Sequence, residues 1–148
     1  MRNGKPRRPL TKSELLPLPP ADVSRLSLKN HLALAALRAG QADDAMLTPL
    51  MNVLYFAYFL RDAAAIELAE LALFQRAEAA LEACVMRGEQ GGKFTLTEDE
   101  RPVLEQLVNL HDAQLASVPR HRLLDAWARV DQVTRSGGRS PIPAAEAS

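Results

Sequence analysis

Residues 50–60, LMNVLYFAYFL, decide the fold class, because they place apolar side chains on nearly every side of a helix. A helix of this kind must be surrounded by the rest of its own chain or by a second copy. The run contains Asn52 and is far shorter than the roughly 20 residues that a membrane-spanning helix needs. We therefore predict a buried helix, either at the centre of a helical bundle, which we favour, or at a dimer seam.

The residues before and within this run predict the first two helices. Apolar residues recur at intervals of three and four from Asp22 onward, which indicates the first helix. The run at 50–60 belongs to the second helix, with Asp43 or Asp44 as its N-cap. Pro49 then lies in an early turn or at a kink.

The residues after the run predict three more helices. Residues 63–87 have high helix propensity and no internal glycine or proline, which indicates one long helix. Thr97 and Glu100 have the spacing of a capping box that starts a helix ending near Val118. Pro119 is suited to be the first residue of the last helix. The fold class predicted is all-α, a compact bundle of about five helices.

The two ends of the chain differ in composition from its middle. Residues 1–21 contain five prolines and five basic residues, which predicts a disordered, basic, proline-rich arm. Two glycines and two prolines after Ser136 predict a short disordered tail at 137–148. The helical domain is therefore expected at 22–136, and a chain of 148 residues is long enough to bury a core without disulfides or metals.

Cysteine content and the N-terminal sequence favour a cytoplasmic protein. The chain contains one cysteine, Cys84, which excludes an intramolecular disulfide and is expected to be a buried structural thiol. No apolar run of the length found in signal peptides follows the basic start. No membrane association is predicted.

Positive charge is concentrated at the N-terminus although the formal net charge is zero. Five basic residues precede the first acidic residue, Glu14, so the arm carries +5 and the rest of the chain −5. Such an arm attracts polyanions, and we predict contacts with nucleic acid or an acidic partner. The residues concerned are Arg2, Lys5, Arg7, Arg8 and Lys12.

A second basic group stands at the start of the last predicted helix. Arg120, His121 and Arg122 follow one another next to a helix N-terminus, where a phosphate or carboxylate could bind. An ordinary solvated helix start has the same composition and remains the alternative. For a homo-dimer or another protein interface, the candidate residues are Tyr55, Tyr58, Phe59 and Trp127.

The dipeptide His111-Asp112 is the best candidate for catalytic chemistry, because metal-dependent HD phosphohydrolases use adjacent His and Asp residues on a helix. The upstream histidine such a site needs has one candidate, His31, 80 residues earlier. A buried core histidine explains His111 better, since it shares a helix face with Leu104 and Val108. No metal or cofactor is predicted, and no phosphate-binding loop or serine elbow is present. We expect a protein that is not an enzyme.

Three segments carry a resemblance to known proteins: residues 7–12 (RRPLTK), 26–38 (LSLKNHLALAALR) and 111–115 (HDAQL). They resemble a group of short proteobacterial proteins, some of which are called Fis family transcriptional regulators. The resemblance implies a regulatory role in transcription. The C-terminal residues do not match the basic helix-turn-helix of Fis-like regulators, so no binding residue is assigned from it.

The sequence as a whole favours a non-enzymatic regulatory or binding protein that contacts nucleic acid or an acidic partner through its basic arm. The first alternative is a homo-oligomeric protein-interaction module that does not bind nucleic acid. The second is a metal phosphohydrolase of the HD type.

Overall fold

The computed structural model describes residues 8–62, 70–137 and 139–144, and these residues form six helices and no strand. The all-α class is confirmed, and the five long helices correspond to the five predicted ones. The helices are α1 (Lys12–Leu15), α2 (Pro20–Arg38), α3 (Asp44–Phe59), α4 (Leu71–Glu89), α5 (Glu100–Ser117) and α6 (Arg120–Arg135).

Helix α3 is the centre of the bundle. It packs against α2, α4, α5 and α6. Its side chains Leu50, Leu54 and Ala57 are almost completely buried in the core. The apolar run at 50–60 is thus covered by the chain itself, as favoured from the sequence.

The start of α3 has the cap that the sequence predicts. Asp43 is the N-cap, and its carboxylate accepts a hydrogen bond from the Met46 N–H at 3.1 Å. Pro49 lies inside the helix and has no N–H to donate to the carbonyl of Ala45. Asp43 and Pro49 both line a surface groove between α2 and α3.

Side chains outside α3 donate hydrogen bonds to the carbonyl groups at its end. A helix leaves its last carbonyls without partners, and a buried one costs about 1–3 kcal/mol. The Ala57 carbonyl accepts from Nε2 of the fully buried Gln114 at 3.0 Å. The Tyr58 carbonyl accepts from the Arg61 guanidinium at 2.8 Å. A residue of α5 therefore satisfies the backbone of α3.

The connection between α4 and α5 is held by one arginine. The Arg87 guanidinium donates to the Thr95 carbonyl at 2.7 Å and forms an ion pair with Glu100. The Thr97 N–H donates to the Glu100 carboxylate at 3.0 Å, and the Glu100 N–H donates to the Thr97 hydroxyl at 3.3 Å. The reciprocal hydrogen bonds of the predicted capping box are present, but α5 begins at Glu100, with Asp99 as its N-cap and no side-chain hydrogen bond at that cap. The prediction of a single helix over 63–87 is wrong at Glu70, whose backbone is extended and which is the N-cap of α4. Residues 63–69 lie outside the described residues.

The N-terminal arm is more structured than its prolines suggest. The prediction of disorder for 1–21 differs from the structure at residues 12–15, where α1 forms a single turn. Thr11 and Glu14 make a capping box there, which satisfies the first backbone groups of that turn. Helix α2 starts at Pro20, because proline is compatible with the first position of a helix.

The C-terminal tail also differs from the prediction of disorder for 137–148. Ile142 is buried in the main core. The Pro143 carbonyl accepts a hydrogen bond from Nε2 of Gln75 on α4 at 2.9 Å. Burial of one large apolar side chain contributes about 1.5–3 kcal/mol, which offsets part of the cost of ordering this segment.

Gly88 on α4 is required by the residue that lies over it. The Phe94 ring occupies the space that a side chain at position 88 would need, and a Cβ there would overlap the ring. We expect Gly88→Ala to lower the free energy of unfolding by about 1–3 kcal/mol, because the ring must move. Urea denaturation measures this change.

Phe94→Ala provides the matched background for this prediction. With the ring removed, Gly88→Ala is expected to be favourable by up to about 1 kcal/mol, since alanine has the higher helix propensity. An equal effect of Gly88→Ala in both backgrounds would contradict the steric explanation.

Candidate binding sites

The start of α6 lies beside the short helix α1. The Arg120 N–H donates to the Leu16 carbonyl at 2.9 Å, and the Arg120 guanidinium donates to the Ser13 hydroxyl at 3.3 Å. These contacts place the described part of the arm beside the start of α6, and Lys12 and Arg120 line the same surface pocket. We call this surface the basic end; it consists of Arg8, Lys12, Arg120, His121 and Arg122.

The basic end keeps most of its positive charge. Glu14 is the one acidic residue within 8–16 and 120–122. The Thr11 backbone N–H, the Arg8 guanidinium and the Thr11 hydroxyl bond its carboxylate and lower the pKa of Glu14 to about 2. Glu14 is therefore ionised and neutralises Arg8, at 3.1 Å. Within the described part of the chain, Lys12, Arg120 and Arg122 form no ion pair.

The predicted anion-binding residues of the arm are only partly described, and the predicted site at the α6 terminus is partly capped. Arg2, Lys5 and Arg7 lie outside the described residues, so their part in an anion-binding arm stays a prediction. One of the N–H groups at the α6 terminus, that of Arg120, is already satisfied by Leu16. The N-terminus of α6 is thus partly capped by the chain's own arm.

Three of the four predicted interface residues make contacts within the chain itself. Tyr58 is buried and packs edge-on against Phe74, with ring centroids 5.6 Å apart. The Tyr55 hydroxyl donates to the Glu78 carboxylate at 2.9 Å, and burial, followed by this bond, raises the pKa of Tyr55. The half-buried Phe59 ring lies under the Arg129 guanidinium.

Trp127, the fourth candidate, is exposed over 47 % of its surface. It belongs to a larger set of exposed apolar residues on α2 and α6. Leu28 and Leu32 on α2 are the most exposed of them, at 59 % and 60 %. Leu26, Leu124 and Trp127 line a groove between α2 and α6, whereas Leu28 and Leu32 line a groove between α2 and α3. We call the pair Leu28 and Leu32 the apolar surface.

A cleft of about 160 Å³ opens between α2, α3, α5 and α6. Its apolar walls include Phe56, whose ring lies between His111, at 5.1 Å, and Trp127, at 5.8 Å. Polar groups lie among these walls. We call it the polar cleft, and its polar lining consists of Lys29, Asn30, Asn52 and His111.

The polar groups of this cleft have unused hydrogen-bonding capacity. Asn30 is only 8 % exposed, yet its amide makes no hydrogen bond to any other described residue. Its polar atoms keep access to solvent through the cleft, since they are not among the buried unpaired side-chain atoms of the described residues. Covering the amide without giving it a partner would cost about 1–3 kcal/mol. The Asn52 amide also lacks a bond to the described residues, and Lys29 has no ion pair among them. A bound polar group would satisfy these side chains.

His111 is a buried, neutral histidine. A backbone carbonyl can only accept, so the Gln114 amide nitrogen faces Ala57 and its oxygen faces His111 Nδ1, at 3.2 Å. His111 therefore carries its proton on Nδ1 and leaves Nε2 as an acceptor. Burial lowers the pKa of His111, which is 3 % exposed. This is the core histidine preferred over an HD-type metal ligand.

His31 and Asp112, far apart in sequence, are brought together. His31 Nε2 lies 2.7 Å from the Asp112 carboxylate. The HD hypothesis needs more ligands than this pair, and the described residues contain no group of three or more metal-ligating side chains.

Cys84 is buried, as expected, and burial raises the pKa of its thiol. Among the described helices, none has the length and hydropathy to cross a membrane.

The polar cleft was not predicted from the sequence. Asn52 was visible as an interruption of the apolar run, and Asn30 as the one amide in an alanine- and leucine-rich helix. Both are polar residues among mainly apolar neighbours, and this pattern can indicate a binding site. Their convergence with His111 of α5 depends on helix packing and has no local signature.

Comparisons with known proteins identify no relative. No family model, no curated protein and no solved structure matches this chain.

The state of His111 makes stability depend on pH. The unfolded chain binds a proton near pH 6.5, whereas the lowered pKa keeps folded His111 neutral. We expect the free energy of unfolding to be fully retained above pH 6.5 and to fall below it, by up to about 1.4 kcal/mol per pH unit. Urea denaturation between pH 5 and 7.5 measures this slope.

His111→Phe is the control, because it keeps a ring beside Phe56 and removes the titrating group. The variant should lose most of the slope between pH 5 and 6.5. The same slope in both proteins would show that other groups cause it.

Proposed function

We propose that this protein is a cytoplasmic, non-enzymatic regulatory protein that binds nucleic acid through its basic end. The observation that carries the proposal is the docking of α1 on α6, in which Arg120 contacts both Ser13 and Leu16. Two basic groups that are separate in sequence thereby become one surface. The basic residues at 2, 5 and 7 precede this surface directly in the chain.

Electrostatics favours a polyanion over a single small anion as the partner. Lys12, Arg120 and Arg122 present charges without intramolecular ion pairs in the described chain, and phosphates along a backbone contact several such charges at once. Binding of this kind releases counterions and is largely independent of nucleotide sequence. A transcription-associated role is compatible with such contacts.

A recognition helix does not explain binding as well. A helix-turn-helix built from α2 and α3 would place α3 in the major groove. Helix α3 instead lies at the centre of the bundle, with Leu50 and Leu54 buried. Phosphate contacts from the basic end require no rearrangement of this core.

The salt dependence of binding tests the proposal. The double variant Arg120→Gln/Arg122→Gln should bind a labelled 20-base-pair DNA and a matched single-stranded RNA more weakly. The slope of log affinity against log salt concentration should fall by about one for each lost phosphate contact. Fluorescence anisotropy at several salt concentrations measures both quantities.

The matched control is Arg76→Gln/Lys93→Gln, which removes two exposed charges from other parts of the surface. It should keep the affinity and slope of the unmodified protein. No binding at low salt, or equal behaviour of the two double variants, would refute nucleic-acid binding through the basic end.

A second candidate function is protein interaction or self-association through the apolar surface. Leu28 and Leu32 are exposed side by side on one face of α2, next to a groove of about 510 Å³. Contiguous exposed leucines are typical of interaction sites. Tyr58 is not suited to test this function, because Tyr58→Glu would place a charge in the core.

Leu28→Glu/Leu32→Glu tests the second function instead. If the surface mediates self-association, light scattering should give a dimer for the unmodified protein at high concentration and a monomer for the variant. Met86→Glu, an equally exposed position on α4, should remain a dimer. A monomer at all concentrations of the unmodified protein would exclude self-association.

A further inference from the structure

The polar cleft adjoins a larger, mainly apolar groove. Both cavities are lined by Leu26, Phe56, Leu115 and Trp127, so they lie side by side. The groove has a volume of about 470 Å³. The cleft alone is small for a ligand, but together with the groove it reaches the size of ordinary small-molecule sites.

We propose that the polar cleft and this groove bind a small amphiphilic carboxylate, such as a medium-chain fatty acid. The apolar chain lies in the groove between α2 and α6 and contacts Phe56, Leu115 and Trp127. The carboxylate lies in the cleft near Lys29 and Asn30. The lining of the groove also includes Asp22, Arg25 and Arg120, so the site borders the proposed nucleic-acid surface at Arg120.

The charges around the cleft favour an anionic head group. Lys29 is the one charged residue in its lining, and no acidic side chain lines it. The nearest acids of α2 and the α2–α3 connection are already used. Asp22 pairs with Arg25 at 2.9 Å, and Asp43 caps α3. A cationic head group would find no carboxylate inside the cleft.

The amides add hydrogen-bond donors for a carboxylate. The Asn30 and Asn52 side chains each carry an NH₂ group that makes no bond to the described chain, and a carboxylate accepts several such bonds. Neutral His111 contributes an acceptor at Nε2 and no charge. A head group that carries a hydroxyl beside its carboxylate would satisfy this acceptor as well.

An apolar helix of a partner protein is the less suitable occupant. Such a helix would cover the groove but leave the Asn30 amide buried without a hydrogen bond, at the cost given above. A small carboxylate reaches into the cleft and satisfies it. The unpaired Asn30 amide, which lines the open cleft, is therefore the observation that selects a small polar-headed ligand.

The single tryptophan of the chain makes the site directly measurable. Trp127 lines both cavities, so its fluorescence reports their occupation. Decanoate should cause a saturable change in this fluorescence below the concentration at which it forms micelles. Decanol and decylamine, which have the same chain length and a neutral or cationic head, should bind about tenfold more weakly or worse.

Two variants locate the head group. Lys29→Gln and Asn30→Leu should each weaken decanoate binding by about tenfold, while decanol binding stays within a few-fold of its original value. Lys93→Gln is the matched control, since it removes an exposed lysine remote from the cleft. Circular dichroism confirms that each variant is folded.

Three results would overturn the proposal: no saturable fluorescence change with decanoate, equal binding of decanoate and decanol, or unchanged decanoate binding by both cleft variants. Lys12→Gln/Arg122→Gln, which changes the basic end at two residues outside the lining of both cavities, should leave the fluorescence titration unchanged. The ligand site and the nucleic-acid surface can therefore fail independently.

Discussion

The fold depends on covering a helix that is apolar on nearly every side from Leu50 to Phe59. This part of α3 must be shielded from water, and α2, α4, α5 and α6 are placed against the helix. Its carbonyl end must also be satisfied inside the molecule. Gln114 provides that bond, and the same amide fixes the proton of His111. Packing and backbone hydrogen bonding thus impose the position of α5 together.

Most of the fold was predictable because its signals are local. Asp43 and the Thr97–Glu100 pair mark helix starts through hydrogen bonds within one turn, and both were found in the structure. The ends were not predictable to the same extent. Prolines correctly disfavour a long helix before residue 20, yet a single turn needs only a capping box, and Ile142 finds its place through long-range contacts.

The candidate sites were predictable only as separate pieces. The arm and the Arg120 region were each visible as basic sequence, but their contact joins residues 107 positions apart. An apolar helix pattern predicts burial without saying what covers it, so Tyr58 and Trp127 were equal interface candidates. Only the packing of the helices buries the first and exposes the second. The cleft around Asn30 has the same origin.

The buried position of Ile142 changes where the domain ends. The last helix stops at Arg135, but residues 139–144 return to the bundle, and Pro143 is bonded to Gln75 of α4. A truncation made at the last helical residue would open the core and remove a tether to α4. For fusion, circular permutation or domain exchange, the functional boundary of this unit therefore lies beyond residue 143, several residues after its helices have ended.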